Sequence, residues 1–201
     1  MKTARLEAFS DGVFAVAITL LVLDLGVPTG SGSLITALAD RWPSFAAFAL
    51  SFVTIGIIWV NHHVLFGSVR RADRPLLFIN LGLLMSVVLL PFSTSLFAHY
   101  LITGGDQSHI AAALFSGSLL LMAVGFNAAY AWIGWHPELR RGENAQPATV
   151  RGLVRFGIGI GAYAVILGIA FVSALAVLIL QALVAVYYIV DRAAISAAEL
   201  D

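Results

Sequence analysis

Two stretches of this chain carry residues that an apolar environment tolerates poorly. Near the start stands Arg5-Leu-Glu-Ala-Phe9-Ser10-Asp11. Further on come Trp59-Val-Asn-His62-His63, and then Asn80. A carboxylate, two imidazoles, a hydroxyl and an amide could hold a metal ion, activate a serine, relay protons, or brace helices with hydrogen bonds. All of them lie in or beside long apolar runs. Asp or Arg at the centre of a membrane span costs roughly 2.5–3.5 kcal/mol on insertion scales, and such residues persist mainly where they pair inside a bundle or face water.

The spacing discriminates among these chemistries. Adjacent residues on a helix diverge by about 100°, so His62 and His63 do not readily share one metal ion. Ser10 and Asp11 are adjacent on one helix, and no nucleophile elbow or Gly-rich oxyanion loop surrounds Ser10, which argues against an intramembrane hydrolase. A hydrogen-bonded structural layer fits best. A proton relay through Asp11, His62 and His63 is the second reading. No enzyme, resident metal or cofactor is expected.

Composition defines the setting. The chain has 201 residues, 60% hydrophobic and 11% charged, where soluble domains carry about 25% charged residues. That places it in the membrane class. Its net charge is zero, which gives no electrostatic reason for a nucleic-acid partner. It has no cysteine, which excludes disulfides, Cys-ligated metals and Cys nucleophiles and leaves the redox compartment open. The first apolar run is too long for a cleavable signal and lacks a small-residue cleavage site.

A span needs about 20 mostly apolar residues. Six are expected, in one domain covering residues 1–201: Ala4–Leu25, Pro43–Phe66, Pro75–Tyr100, Ser108–Trp135, and two within Gly152–Val190, divided near Phe171–Ser173. Gly26–Gly32 reads as a loop, Leu34–Trp42 as a short interfacial helix, and His136–Thr149 as a polar loop. With six spans, Lys2, Arg5, Arg70, Arg71, Arg74, Arg140, Arg141, Arg151, Arg155 and Arg192 fall on one side and only Arg41 on the other. The bias of Lys and Arg toward the cytoplasm then puts both termini there, in a multi-pass protein of the cell membrane.

Depth brings the polar residues together. At 1.5 Å per residue, Asp11 is about 10 Å in from Arg5, the histidines about 10–12 Å in from Arg70, and Asn80 about 9 Å in from Arg74. Ser10, Asp11, Trp59, His62 or His63, and Asn80 therefore share one layer behind the first helix. On that helix Val16, Leu20 and Leu23 follow i, i+4, i+7, with Thr19 beside them and Gly12 extending the stripe. Ser10 and Asp11 fall on roughly the opposite half. The stripe is either a packing face toward lipid and helices or the lining of a pore.

Elsewhere the signals are weaker. Ser93-Thr-Ser95 can satisfy backbone groups freed by Pro91. Asn127 and Gln181 read as glue between helices, and Gly157, Gly159, Gly161 and Gly168 as close packing in the fifth span. His99, His109 and His136 lie near span ends or in loops and are expected to be solvated.

The first motif, Arg5-Leu-Glu-Ala-Phe9-Ser10-Asp11-Gly-Val-Phe-Ala-Val-Ala-Ile-Thr19-Leu-Leu-Val-Leu23, resembles the signature first helix of the lysosomal potassium channel family, transmembrane protein 175, in its single-repeat bacterial form. Trp59-Val-Asn-His62-His63 and Leu89-Leu-Pro91-Phe92-Ser-Thr resemble that family's second- and third-helix motifs. The resemblance is motif-specific to about residue 97 and rests on hydropathy beyond it. It implies an all-α homotetramer of six-helix subunits in membrane lipid, with the first helices around a central pore for monovalent cations. Potassium is the implied permeant ion, passing transiently with no bound cofactor. The family lacks the carbonyl filter loop of ordinary potassium channels, and no Thr-Val-Gly-Tyr-Gly occurs here. Its constriction is apolar, which maps to Val16 with Leu20 and Leu23 as further rings, and its potassium preference draws on the position of Thr19. The family's first ring is usually Ile or Leu, so Val16 implies a wider constriction. The resemblance also assigns Arg5, Phe9, Ser10 and Asp11, with Trp59, His62, His63 and Asn80, to a polar network between helices.

Overall fold

A computed structural model describes residues 3–28, 32–141 and 150–198, with side chains described at 3–28, 32–141 and 157–190. Lys2 and the side chains of Arg151, Arg155 and Arg192, which entered the expected charge asymmetry, lie outside the described residues. Among the described residues the fold is all-α. The elements are α1 (Thr3–Leu20), α2 (Leu34–Ala39), α3 (Trp42–Gly67), α4 (Arg74–Tyr100), α5 (Gly105–Trp135), α6 (Val150–Ile169) and α7 (Ala174–Ala198). A tighter turn, Leu21–Leu25, extends α1. The short helix α2 is the one expected beside Gly26–Gly32.

Four segments are long and apolar enough by themselves to cross a membrane: Thr3–Leu25, Trp42–Gly67, Arg74–Tyr100 and Gly105–Trp135. The apolar stretches Gly157–Ile169 and Ala174–Val190 are shorter. The full 20 and 25 residues of α6 and α7 nevertheless reach about 30 and 37 Å at 1.5 Å per residue, enough for a hydrocarbon core of about 30 Å. The break between them falls at Ala170–Ser173, where the Ser173 hydroxyl accepts the Ala176 N–H at 3.2 Å and caps α7.

Helix α4 is the hub, packed against α1, α3 and α5. Its start is fixed by Asp73, whose carboxylate accepts the Leu76 N–H at 3.0 Å. The α4–α5 crossing is close because Gly125 has no side chain: a Cβ there would lie 3.1 Å from the Leu83 Cα. Phe97 and Phe115 stack across the same pair at 4.8 Å. Pro91 sits inside α4, yet the nearby hydroxyls have other partners than the carbonyl it frees. Ser93 donates to Leu90 O at 3.1 Å, and Thr94 pairs with Ser51 of α3 at 2.7 Å. Of the four glycines noted in the fifth span, only Gly159 meets a neighbour, the Tyr188 hydroxyl of α7.

Each end of the bundle is tied. At one end, Arg41 donates from Nη1 to Leu25 O at 2.6 Å, anchoring the far end of α1 to the start of α3. At the other, the α3–α4 turn pairs with the segment after α5. Arg70 N donates to Leu139 O at 2.7 Å and Arg141 N to Ser68 O at 2.8 Å, around an antiparallel bridge between Val69 and Arg140. The Arg140 guanidinium donates to Ile133 O at 3.2 Å and Gly134 O at 2.6 Å, a cation on the negative end of α5. Trp132 Nε1 donates to Asp73 at 3.2 Å, and His136 stacks on Trp132 at 4.1 Å. His136 is thus half-buried in this clasp, whereas His99 is exposed and His109 half-buried.

Candidate pore-lining helix and its brace

Helix α1 has two unlike faces. Thr3, Leu6, Ser10, Phe14 and Ala17 are buried, and Leu21 continues them into the next turn. At 100° per residue they share a face about 80° wide. Ser10 is its one polar member deep in the span, and it is fully buried. Its hydroxyl accepts the Asn80 amide of α4 at 3.0 Å. The Asn80 carbonyl accepts His62 Nε2–H of α3 at 2.8 Å. The His62 ring stacks on Phe66 at 4.2 Å and meets the edge of Phe14 at 5.3 Å. Ser10, Asn80 and His62 are each buried to within 1%. A buried polar group left without a partner costs about 1–3 kcal/mol, so the chain Ser10–Asn80–His62 fixes the rotation of α1 against α3 and α4.

A second bond lies at the rim. Trp59 Nε1 donates to Asp11 Oδ1 at 2.9 Å, with both residues partly exposed. His63 is exposed and lies tilted against Trp59 at 6.3 Å. The two histidines therefore separate, one in the core and one outside it, as the 100° between them requires. Among the described residues no direct hydrogen bond joins Asp11 to His62 or His63. No group of three His, Asp or Glu residues is placed to hold a metal among the described residues.

Arg5 and Phe9 lie on another face of α1. Both are exposed, and neither joins the Ser10–Asn80–His62 chain. The reason is periodicity: Arg5, Phe9, Gly12 and Val16 follow i, i+4, i+7, i+11 and lie on the stripe rather than behind it. That stripe continues through Thr19, Leu20 and Leu23. Val16 is 57% and Leu23 71% exposed, on a helix whose other face is sealed. Thr19 Oγ donates to Val16 O at 2.9 Å and keeps acceptor capacity for a partner outside the subunit. Asp24, which the periodicity of the first helix did not single out, lines a crevice with Asp40, Arg41 and His99 at the far end of α1. Its place depends on the tight turn after Leu20, which no hydropathy pattern signals.

The fold and this site define a class: a polytopic helical membrane protein whose first helix is held by a buried polar brace and turns an unpartnered apolar face outward. The family model described as endosomal/lysosomal potassium channel TMEM175 matches residues 5–91. A potassium channel of Streptomyces collinus is 45% identical over 193 residues, covering 93% of this chain and 91% of that protein. The solved structure of a lysosomal potassium-selective channel TMEM175 homolog from Chamaesiphon minutus is 35% identical, with a TM-score of 0.82, covering 94% of this chain and 97% of that one. The endosomal/lysosomal proton channel TMEM175 of Bos taurus is 36% identical over 170 residues, which cover 78% of this chain and 33% of that longer protein. The chain belongs to the TMEM175 family.

Proposed function

We propose that this protein is a potassium-preferring cation channel that moves the ion passively, as a homotetramer with the α1 helices around the axis. The observation that carries this is the outward stripe of α1. Val16, Leu20 and Leu23 are exposed in the isolated subunit, while the opposite face is fixed by buried hydrogen bonds. Assembly around an axis would give that stripe partners and turn each residue into a ring. Apolar rings can close a pore by dewetting, and Val16 is the first of them from the end that carries Arg5. Thr19 supplies the hydroxyl ring that favours potassium. Potassium is transient in the pore and no cofactor or catalytic residue takes part. The two relatives named as potassium channels, which match along nearly the whole chain, support the same reading. The subunit sits in the cell membrane with both termini in the cytoplasm, on the side of Arg5, Arg70, Arg71, Arg74, Arg140 and Arg141.

The test is potassium flux through the reconstituted protein. Val16→Trp should abolish flux, and Val16→Asn should raise leak by keeping the constriction wet. Unchanged conductance in both variants would remove Val16 from the pore.

The naming of mammalian relatives as proton channels favours one other reading, proton-coupled or proton movement through Asp11, His62 and His63. Its discriminator is the reversal potential under a pH gradient at symmetrical potassium. A potassium channel leaves it at zero, whereas proton movement displaces it.

A further inference from the structure

The backbone clasp between the α3–α4 turn and the segment after α5 gathers arginines from two separate loops. Arg140 turns inward onto the carbonyls of α5. Arg70, Arg71, Arg74 and Arg141 are exposed instead. Among the described residues none of these four has an ion pair or a side-chain hydrogen bond. The acid nearest in sequence, Asp73, is already engaged by Leu76 N–H and Trp132 Nε1. The other acid of the clasp, Glu138, is exposed and pairs with none of them. Four like charges are thus brought near one another by a paired backbone, with no counter-charge among the described residues.

Their level in the membrane indicates what neutralises them. They adjoin the last residue of α3, the first of α4 and the last of α5, Gly67, Arg74 and Trp135. These are the ends of three spans, where phosphate headgroups lie. Trp135 is 70% exposed, and an exposed indole at a helix end is a typical interfacial anchor. Arginine recognises phosphate oxygens through two parallel N–H···O bonds. Clustered basic residues directly outside a span attract anionic lipid.

We propose that Arg70, Arg71, Arg74 and Arg141 form a binding site for the headgroup of an anionic phospholipid. The bound phosphate screens the repulsion across the clasp and so stabilises the pairing of the α3–α4 turn with the end of α5. The site depends on the membrane setting and not on ion conduction.

The experiment is thermal unfolding of the purified full chain in detergent, with added phosphatidylglycerol, phosphatidylcholine or inorganic phosphate. Phosphatidylglycerol should raise the midpoint by roughly 5 °C when near saturating, with phosphatidylcholine and phosphate having little effect. The Arg70→Gln/Arg71→Gln/Arg141→Gln variant should lose most of that shift. An undiminished shift in the variant overturns the proposal, and so does an equal shift from phosphate alone, which would make the ligand a free anion. Should the variant not fold, wild type decides the matter by salt. The phosphatidylglycerol shift must fall markedly between about 50 and about 300 mM salt, and a salt-independent shift overturns the site.

Discussion

The three helices α1, α3 and α4 and the three helices α5, α6 and α7 differ in where their buried polar chain lies. In the first group polar residues reach across: Ser10 to Asn80 to His62, Asp11 to Trp59, Ser51 to Thr94. In the second group Ser118 donates back to Leu114 O and one Asn127 bond returns to Ala123 O, while Trp132 of α5 reaches across to Asp73 at the start of α4. Among the described residues Ser116 Oγ and Gln181 Nε2 are buried without a hydrogen-bond partner. The difference shows how each half is held. Directional bonds set the rotation of α1, α3 and α4, and a rotation error there would unpair buried groups. The second group meets α4 largely through shape, by Gly125 against Leu83 and Phe97 against Phe115, with the Trp132–Asp73 bond at its end. A half whose stripe is proposed to line a pore needs a defined rotation. A half that surrounds it needs only to fill space.

This contrast can be broken by substitution. The largest effect is expected from Asn80→Leu, which unpairs both Ser10 and His62. A loss of about 1–3 kcal/mol corresponds to a fall in melting midpoint of roughly 2–12 °C for a chain of this size, measured by thermal unfolding in detergent. Potassium flux should change with it, because α1 is then free to turn. Gly125→Ala comes next. It forces a Cβ against the α4 backbone, and overpacking of this kind costs about 1–3 kcal/mol with no expected change in ion preference. If it altered selectivity as strongly as Asn80→Leu, the division between orienting and filling halves would be wrong.

A smaller effect should follow from Trp59→Phe and Asp11→Asn, whose bond is at the rim. Coupling energies of polar pairs between membrane helices average about 0.6 kcal/mol, so a double-mutant cycle on midpoints should give a value near that. The smallest effect is expected at Gln181→Leu. The Nε2 has no partner to lose among the described residues, and an apolar side chain of similar volume should be neutral or stabilising. A loss there comparable with Asn80→Leu would mean that the second group is also held by directional bonds.

Much of the brace was legible before the fold was known, because rise per residue alone puts Ser10, Asp11, Trp59, His62 and Asn80 at one depth. The azimuth was only half legible. On α1 the wheel sets Ser10 and Val16 on different faces, one buried and one exposed, and Arg5 and Phe9, grouped with the brace on the family motif, fall on the exposed side by that same wheel. For α3 no pattern chose between His62 and His63, since both neighbours of an apolar helix look alike in sequence. The clasp of Ser68–Arg70 with Leu139–Arg141 was not legible at all, because backbone pairing between distant loops leaves no periodic trace.

By itself the sequence determined the membrane setting, the long apolar helices, the outward stripe of Val16, Leu20 and Leu23, and the depth of the polar layer. Those follow from hydropathy and from a fixed rise of 1.5 Å per residue, both local properties of a chain. The tertiary structure decided that His62 and not His63 meets Asn80, that Asp11 pairs with Trp59, and that the turn at 68–71 lies against the segment 139–141. Each depends on how far one helix is turned and slid against another. That is set by close contacts such as Gly125 on Leu83 and by the cost of leaving buried polar groups unpaired, neither of which can be read from one helix alone.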